Sequence, residues 1–192
     1  MNMLRLAGIV EESIVDGPGL RMTGFVQGCH QDCPGCQNPE THPMNGGEWK
    51  DAEDVLELFK SNPLLQGITF SGGEPFLQPA VLAWLAMQVH ALGKDVISFS
   101  GYTLEQLLDM SLQHSAIIDL LDQLDALVDG PYIEALKSMD LLYRGSSNQR
   151  YLKWDDIMRL RCEWKIRSKK KSYNSFLNGN SSTKVWRFPK WQ

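Results

Sequence analysis

Apolar positions recur along this chain in two periods, and the switches between them mark its elements. Arg21 to Val26 is a run of strand-forming residues that ends at Gly28. A polar stretch rich in Pro and Gly follows, after which Val55, Leu56, Leu58 and Phe59 return at the spacing of a helix face. Asp51 stands where an N-cap belongs, and Asn62-Pro63 where that helix must stop. Gly67-Ile68-Thr69-Phe70 predicts a second strand, halted by Ser71-Gly72-Gly73-Glu74-Pro75, and Pro79 then opens a long apolar helix that Gly93 can end. Val96 to Phe99 reads as a third strand. Thr103 with Gln106 forms a capping box for a helix carried by Leu104, Leu107 and Leu108, and Ala116 to Leu121 continues helical. Ala126-Leu127-Val128 predicts a fourth strand stopping at Asp129-Gly130-Pro131, and a weaker fifth is expected near Leu141 to Tyr143.

Strands alternating with helices imply a parallel sheet. A closed eight-stranded barrel typically needs about 250 residues, so the expected fold is α/β, a partial, open parallel β/α barrel of about five to six βα units. A doubly wound open sheet is the alternative. Right-handed crossovers set consecutive parallel strands side by side with their C-terminal ends on one edge, where active sites of such folds lie. The loop after Val26 and the turn after Phe70 are therefore expected to face each other.

Composition adds one core's worth of material: 192 residues with 43% hydrophobic content. Charge is split unevenly, because residues 1–150 hold 8 Lys and Arg against 20 Asp and Glu, while 151–192 hold 11 against 3. We expect a catalytic domain over 1–150 and a basic, Trp-rich extension over 151–192 that is mobile. An acidic body lacks the basic face that nucleic-acid binding requires. No signal-peptide pattern opens the chain and no apolar run approaches the roughly 18 residues of a membrane span, which points to a cytoplasmic protein.

The candidate chemistry lies in Gly28-Cys29-His30-Gln31-Asp32-Cys33-Pro34-Gly35-Cys36-Gln37. Three of the four cysteines fall within eight residues there, with Cys162 far away, which is not the even framework of a disulfide-stapled protein. The spacing C-x-x-x-C-x-x-C offers three ligands where ferredoxin-type sets give a [4Fe-4S] cluster four, leaving one iron open. Read alone, it also fits a zinc site completed by His30 or His42. Gly72 and Gly73 remove side chains where backbone must approach a ligand without disturbing a bound metal group, and Glu74 adds an acceptor for an ammonium group.

Taken together, Asp16-Gly17-Pro18-Gly19, the cysteine triplet, Ser71-Gly72-Gly73-Glu74-Pro75, Gly101-Tyr102-Thr103, Val128-Asp129-Gly130 and Arg144-Gly145-Ser146-Ser147-Asn148-Gln149 make the chain resemble the radical S-adenosylmethionine superfamily. Within it, the resemblance over about residues 9 to 150 is to the activating proteins of anaerobic (class III) ribonucleotide reductase. It implies a [4Fe-4S] cluster on Cys29, Cys33 and Cys36, with the amino and carboxylate groups of S-adenosylmethionine on the fourth iron. It further implies that Gly72, Gly73 and Glu74 meet the methionine amino group and that the backbone of Gly35, Cys36 and Gln37 borders the nucleoside. The implied reaction is reductive cleavage of S-adenosylmethionine to a 5′-deoxyadenosyl radical, which generates a glycyl radical on the reductase catalytic subunit, with electrons from a donor such as flavodoxin. The alternatives are an activase of a different glycyl radical enzyme, a 7-carboxy-7-deazaguanine synthase, or a zinc-bearing interaction module with no reaction.

Overall fold

The computed structural model describes residues 2–177, with side chains through Ser168. Seven strands form one mixed sheet: β1 (Met3–Ser13), β2 (Arg21–Val26), β3 (Glu48–Asp51), β4 (Gly67–Gly72), β5 (Asp95–Phe99), β6 (Ala126–Asp129) and β7 (Arg150–Lys153). Their order is β3-β1-β2-β4-β5-β6-β7. The middle four, β2, β4, β5 and β6, run parallel as the alternation of strands and helices predicts. β1, β3 and β7 are antiparallel additions that this alternation does not foretell.

Helices α1 (Ala52–Ser61), α2 (Pro79–Ala91), α3 (Leu104–Ser111) and α4 (Ala116–Leu121) connect the parallel strands. Asp51 caps α1 by accepting the Glu53 N–H at 3.2 Å, and Thr103 and Gln106 form the expected capping box on α3. The helices bury their apolar positions on one face of the sheet, where Leu4, Met22, Val26, Ile68, Phe70, Val96 and Leu127 form the core with Val55, Phe59, Leu82, Leu85, Leu107 and Leu120. Alternation along the strands sends the intervening residues to the other face. That face is polar at its centre: the fully buried Arg21 donates to Thr69 Oγ1 (2.8 Å) and the Ile68 carbonyl (2.7 Å) and pairs with Asp95. The Asp16-Gly17-Pro18-Gly19 turn folds onto it, with the Asp16 carboxylate accepting from Ser13 Oγ (2.6 Å) and Thr23 Oγ1 (3.1 Å).

Two expectations need correction. Leu141 to Tyr143 is not a strand, since Tyr143 takes a left-handed φ of 59° and the segment sits in a loop closed by a bridge between Lys137 and Ser146. The fifth strand instead is β7, which crosses the expected boundary at 150. Residues beyond it continue into α5 (Trp154–Leu177), whose Ile157 is fully buried in the core with Leu160 and Trp164 packed beside it. Trp164 Nε1 donates to Asp109 at 2.8 Å, and Arg161 pairs with Asp122. The start of the extension is thus part of the packed fold; its three anchors are spaced at i, i+3 and i+7 and diluted by charges, which hides the apolar stripe. The expectation of mobility for residues 178–192 lies outside the described residues. Among the described residues, no helix is long and apolar enough to cross a membrane.

Candidate active site

The two strongest sequence motifs leave the C-terminal ends of the neighbouring parallel strands β2 and β4 and are hydrogen-bonded to each other. The Gly73 N–H donates to the Val26 carbonyl and the Glu74 N–H to the Gly28 carbonyl, each at 2.8 Å. The approach depends on glycine. A Cβ at Gly73 would lie 2.2 Å from the Gly28 carbonyl oxygen, and Gly72, at φ 89°, would drive one into the Phe25 backbone at 2.7 Å. The missing side chain at Gly73 therefore makes room for the cysteine loop itself. A Gly73→Val protein is expected to lose iron retention and S-adenosylmethionine binding together, read as iron content beside ligand affinity after anaerobic reconstitution. Loss of ligand affinity with a full cluster would show that the glycine faces the ligand instead.

The cysteine loop is fixed at its start by the Gly28 N–H to the Thr41 carbonyl (2.8 Å) and the Cys29 N–H to the His42 carbonyl (3.1 Å). Each sulfur has a backbone N–H directed at it: Gln31 to Cys29 (3.4 Å), Asn38 to Cys36 (3.5 Å), and Tyr132 to Cys33. Hydrogen bonds to sulfur are the means by which proteins stabilise and tune iron–sulfur clusters. Burial pushes the Cys29 thiol up to about 11 and the Cys33 thiol upward as well. Such thiols become ligands when a bound cation compensates their charge. Among the described residues, no three His, Cys, Asp or Glu side chains are gathered closely enough to share a single metal ion.

Cys29, Cys33, Cys36, Gln37, Gly72 and Gly73 all line one cavity of about 730 Å³, within the range of small-molecule sites. The other two expected site residues do not. Gly35 turns away, its would-be Cβ 2.9 Å from the Glu134 carboxylate. Glu74 is fully buried beneath the turn, where Oε1 accepts from Phe76 N–H (3.1 Å) and Ser100 Oγ (3.0 Å) and Oε2 from Gly101 N–H (2.8 Å). It ties the β4 turn to the β5–α3 turn.

Burial pushes the Glu74 carboxyl up from 4.5 to about 7, against the pull of its three donors. Because the folded form holds the proton that the unfolded chain releases, the stabilisation from Glu74 is complete below the unfolded value and lost as pH rises through about 7. Denaturant midpoints should show the wild type losing on the order of 3 kcal/mol relative to Glu74→Gln across that window. A difference independent of pH would contradict the raised pKa.

Residues that pattern reading did not single out as site residues complete the walls. Ser13 comes from the end of β1 and Asp16 from the β1–β2 turn, Phe25 and Phe99 from the sheet, and Tyr132, Arg144 and Gln149 from the β6–β7 loop. That loop is fastened by its own motif: Gln149 Oε1 accepts from Gly145 (2.9 Å) and Ser146 (3.2 Å), its Nε2 donates to the Gly130 carbonyl (3.1 Å), and Asn148 donates to the Pro131 carbonyl (2.8 Å). Asp129 is buried, accepting from the Leu104 N–H at 2.7 Å and from Arg150, so it serves the α3 start and β7 and is not among the cavity-lining residues.

The family model described as a 4Fe-4S single cluster domain matches residues 15–152. The anaerobic ribonucleoside-triphosphate reductase-activating protein of Salmonella typhimurium is 40% identical over 145 residues, covering 71% of this chain and 90% of that protein. The chain belongs to this activating-protein family. The Escherichia coli member is 38% identical over 144 residues, with the same coverage of each chain. The pyruvate formate-lyase-activating enzyme of Clostridium pasteurianum is 44% identical over 87 residues, 43% of this chain and 37% of that one. The chain is accordingly a radical S-adenosylmethionine enzyme of the activase type, and its cofactors are a [4Fe-4S] cluster and S-adenosylmethionine.

Proposed function

We propose that the chain activates an anaerobic ribonucleotide reductase by generating a glycyl radical on its catalytic subunit, with the cluster on Cys29, Cys33 and Cys36 and S-adenosylmethionine in the adjoining cavity. The observation that carries this reading is the meeting of three N–H-supported cysteines and the Gly72-Gly73 turn on one cavity wall. When bound, the cluster would pass one electron from the external donor to the sulfonium of S-adenosylmethionine, whose C5′–S bond would break to give methionine and a 5′-deoxyadenosyl radical; that radical would take a hydrogen atom from a glycine of the reductase and leave as 5′-deoxyadenosine.

The chain's own part is binding, orientation and exclusion of water. Gly72 and Gly73 let the β4 turn close on the cysteine loop, and Glu74 holds that turn from behind. With Glu74 turned inward, Ser71, Gly72 and Gly73 are left on the wall to meet the methionine end, while Gln37 and Asn38 border the nucleoside. Tyr132, Met139 and Leu141 of the β6–β7 loop supply cover over the site. The sheet is read as a partial barrel curling its polar face around this cavity. A cytoplasmic location and a flavodoxin-type donor complete the reading, both resting on the family resemblance.

A second reading, activation of a different glycyl radical enzyme, is favoured by the likeness to the pyruvate formate-lyase-activating enzyme. Both are tested with reconstituted protein, a chemical reductant and S-adenosylmethionine. The expected result is 5′-deoxyadenosine release, with a glycyl radical seen by electron paramagnetic resonance on the reductase. Release of the nucleoside with a radical only on another glycyl radical protein would establish the second reading, and no release would remove both.

A further inference from the structure

Arg144 carries the only permanently positive side chain on the cavity wall among the described residues, while Glu12 and Asp16 supply negative charge elsewhere on it. Its guanidinium is under-used. Nη1 donates to the Gln149 carbonyl at 3.3 Å, and Nε is buried without an acceptor. Arg21, Arg150, Arg159 and Arg161 each hold a carboxylate, but among the described residues no carboxylate is within ion-pair distance of Arg144. The backbone that presents it is nonetheless well fixed, because Gln149 Oε1 accepts from the next residue, Gly145, at 2.9 Å. Gly145 in turn lies against the Tyr132 ring, and the Tyr132 N–H is directed at Cys33. An arginine on fixed backbone with spare donors, lining the cavity that the cysteines also line, is suited to a carboxylate, which its planar fork can meet with two parallel hydrogen bonds.

We propose that Arg144 is a carboxylate-binding residue of this cavity and that the carboxylate it takes is that of S-adenosylmethionine, the one anionic group of the cofactor. The inference rests on the proposed function and adds to it a residue that discriminates the intact cofactor from analogues lacking that group. The other source of the same chemistry is an acidic side chain on the incoming partner segment, and the test separates the two.

Binding of S-adenosylmethionine and of decarboxylated S-adenosylmethionine to the reconstituted protein is measured by equilibrium dialysis, for wild type, Arg144→Gln and Arg144→Lys. Arg144→Gln should weaken binding of S-adenosylmethionine about ten- to a hundred-fold, the usual worth of hydrogen bonds between charged groups, and leave affinity for the decarboxylated analogue unchanged. Arg144→Lys should fall between, since it keeps charge without the fork. Equal affinity of wild type and Arg144→Gln for S-adenosylmethionine overturns the proposal, and a defect then confined to reductase binding would assign the arginine to the partner. Equal loss for both ligands also overturns it, because Arg144 would then be holding the loop and not the carboxylate. A wild type that binds iron but neither ligand would refute the proposed function itself.

Discussion

Replacement of Cys29, Cys33 or Cys36 by Ala is expected to leave the protein with almost no iron or sulfide after anaerobic reconstitution, while Cys162→Ala retains the full complement. The reason is geometric. The three cysteines line one cavity and each sulfur receives a backbone N–H, whereas Cys162 is exposed on α5 and is not among the residues lining the cavity. A cubane that has already given up one protein ligand for an open iron would be left with two, and the remaining iron edges would be open to water and oxidant. Burial also favours the neutral form of Cys29 most strongly and of Cys33 as well, so these thiols bind iron only where a full cluster compensates their charge. Iron and sulfide analysis with the visible charge-transfer absorption reads the outcome directly. Retention of a full cluster by any one of the three variants, or its loss in Cys162→Ala, would show that the ligand set is wrong.

Truncation after Tyr151 is expected to abolish cooperative folding, and with it cluster binding. The cut removes two residues of β7 and all of α5. Leu152 and the fully buried Ile157 leave the core, together with the packing of Leu160 and Trp164. Burying Leu152 and Ile157 alone stabilises by about 3–6 kcal/mol at about 1.5–3 kcal/mol for each side chain. Whole domains are stable by only about 5–15 kcal/mol. The cut also strips half of the partner from β6, whose Asp129, Val128, Leu127 and Ala126 pair with Arg150, Tyr151, Leu152 and Lys153. An Ile157→Ala protein isolates the packing contribution and should lose about 2–5 kcal/mol. Thermal melts by circular dichroism check both proteins. If the truncated chain melts as the full chain does and still binds iron, α5 contributes nothing to the fold.

Much of the site was legible in the chain because its motifs act locally. Gly28 to Gln37 places three sulfurs within eight residues whatever surrounds them, and consecutive parallel strands bring the next strand's turn beside that loop. Hence the meeting of the Cys29 loop with Gly72-Gly73 could be expected before any coordinates. The helix caps at Asp51 and Thr103 were equally local and are found where the side-chain pattern puts them. The direction of Glu74 was not legible. A carboxylate after two glycines can point to a ligand or to the protein, and only the arrival of Ser100 and Gly101 from the next strand supplies the donors that turn it inward.

What the sequence by itself determined is therefore the parallel centre of the sheet and the meeting of the cysteine loop with the Gly72-Gly73 turn at one edge of it, both consequences of short-range pattern and of chirality. What only the tertiary structure decided is the rest of the cavity wall and the extent of the fold. Asp16, Tyr132, Arg144 and Gln149 come from turns at opposite sides of the sheet, and no period in the chain relates them. β1, β3 and β7 are recruited by unpaired strand edges, whose backbone groups must find partners irrespective of the side chains that carry them. α5 belongs to the core through Ile157, Leu160 and Trp164, because the fold lays it against α3, β6 and β7, a meeting of distant segments that no local pattern specifies.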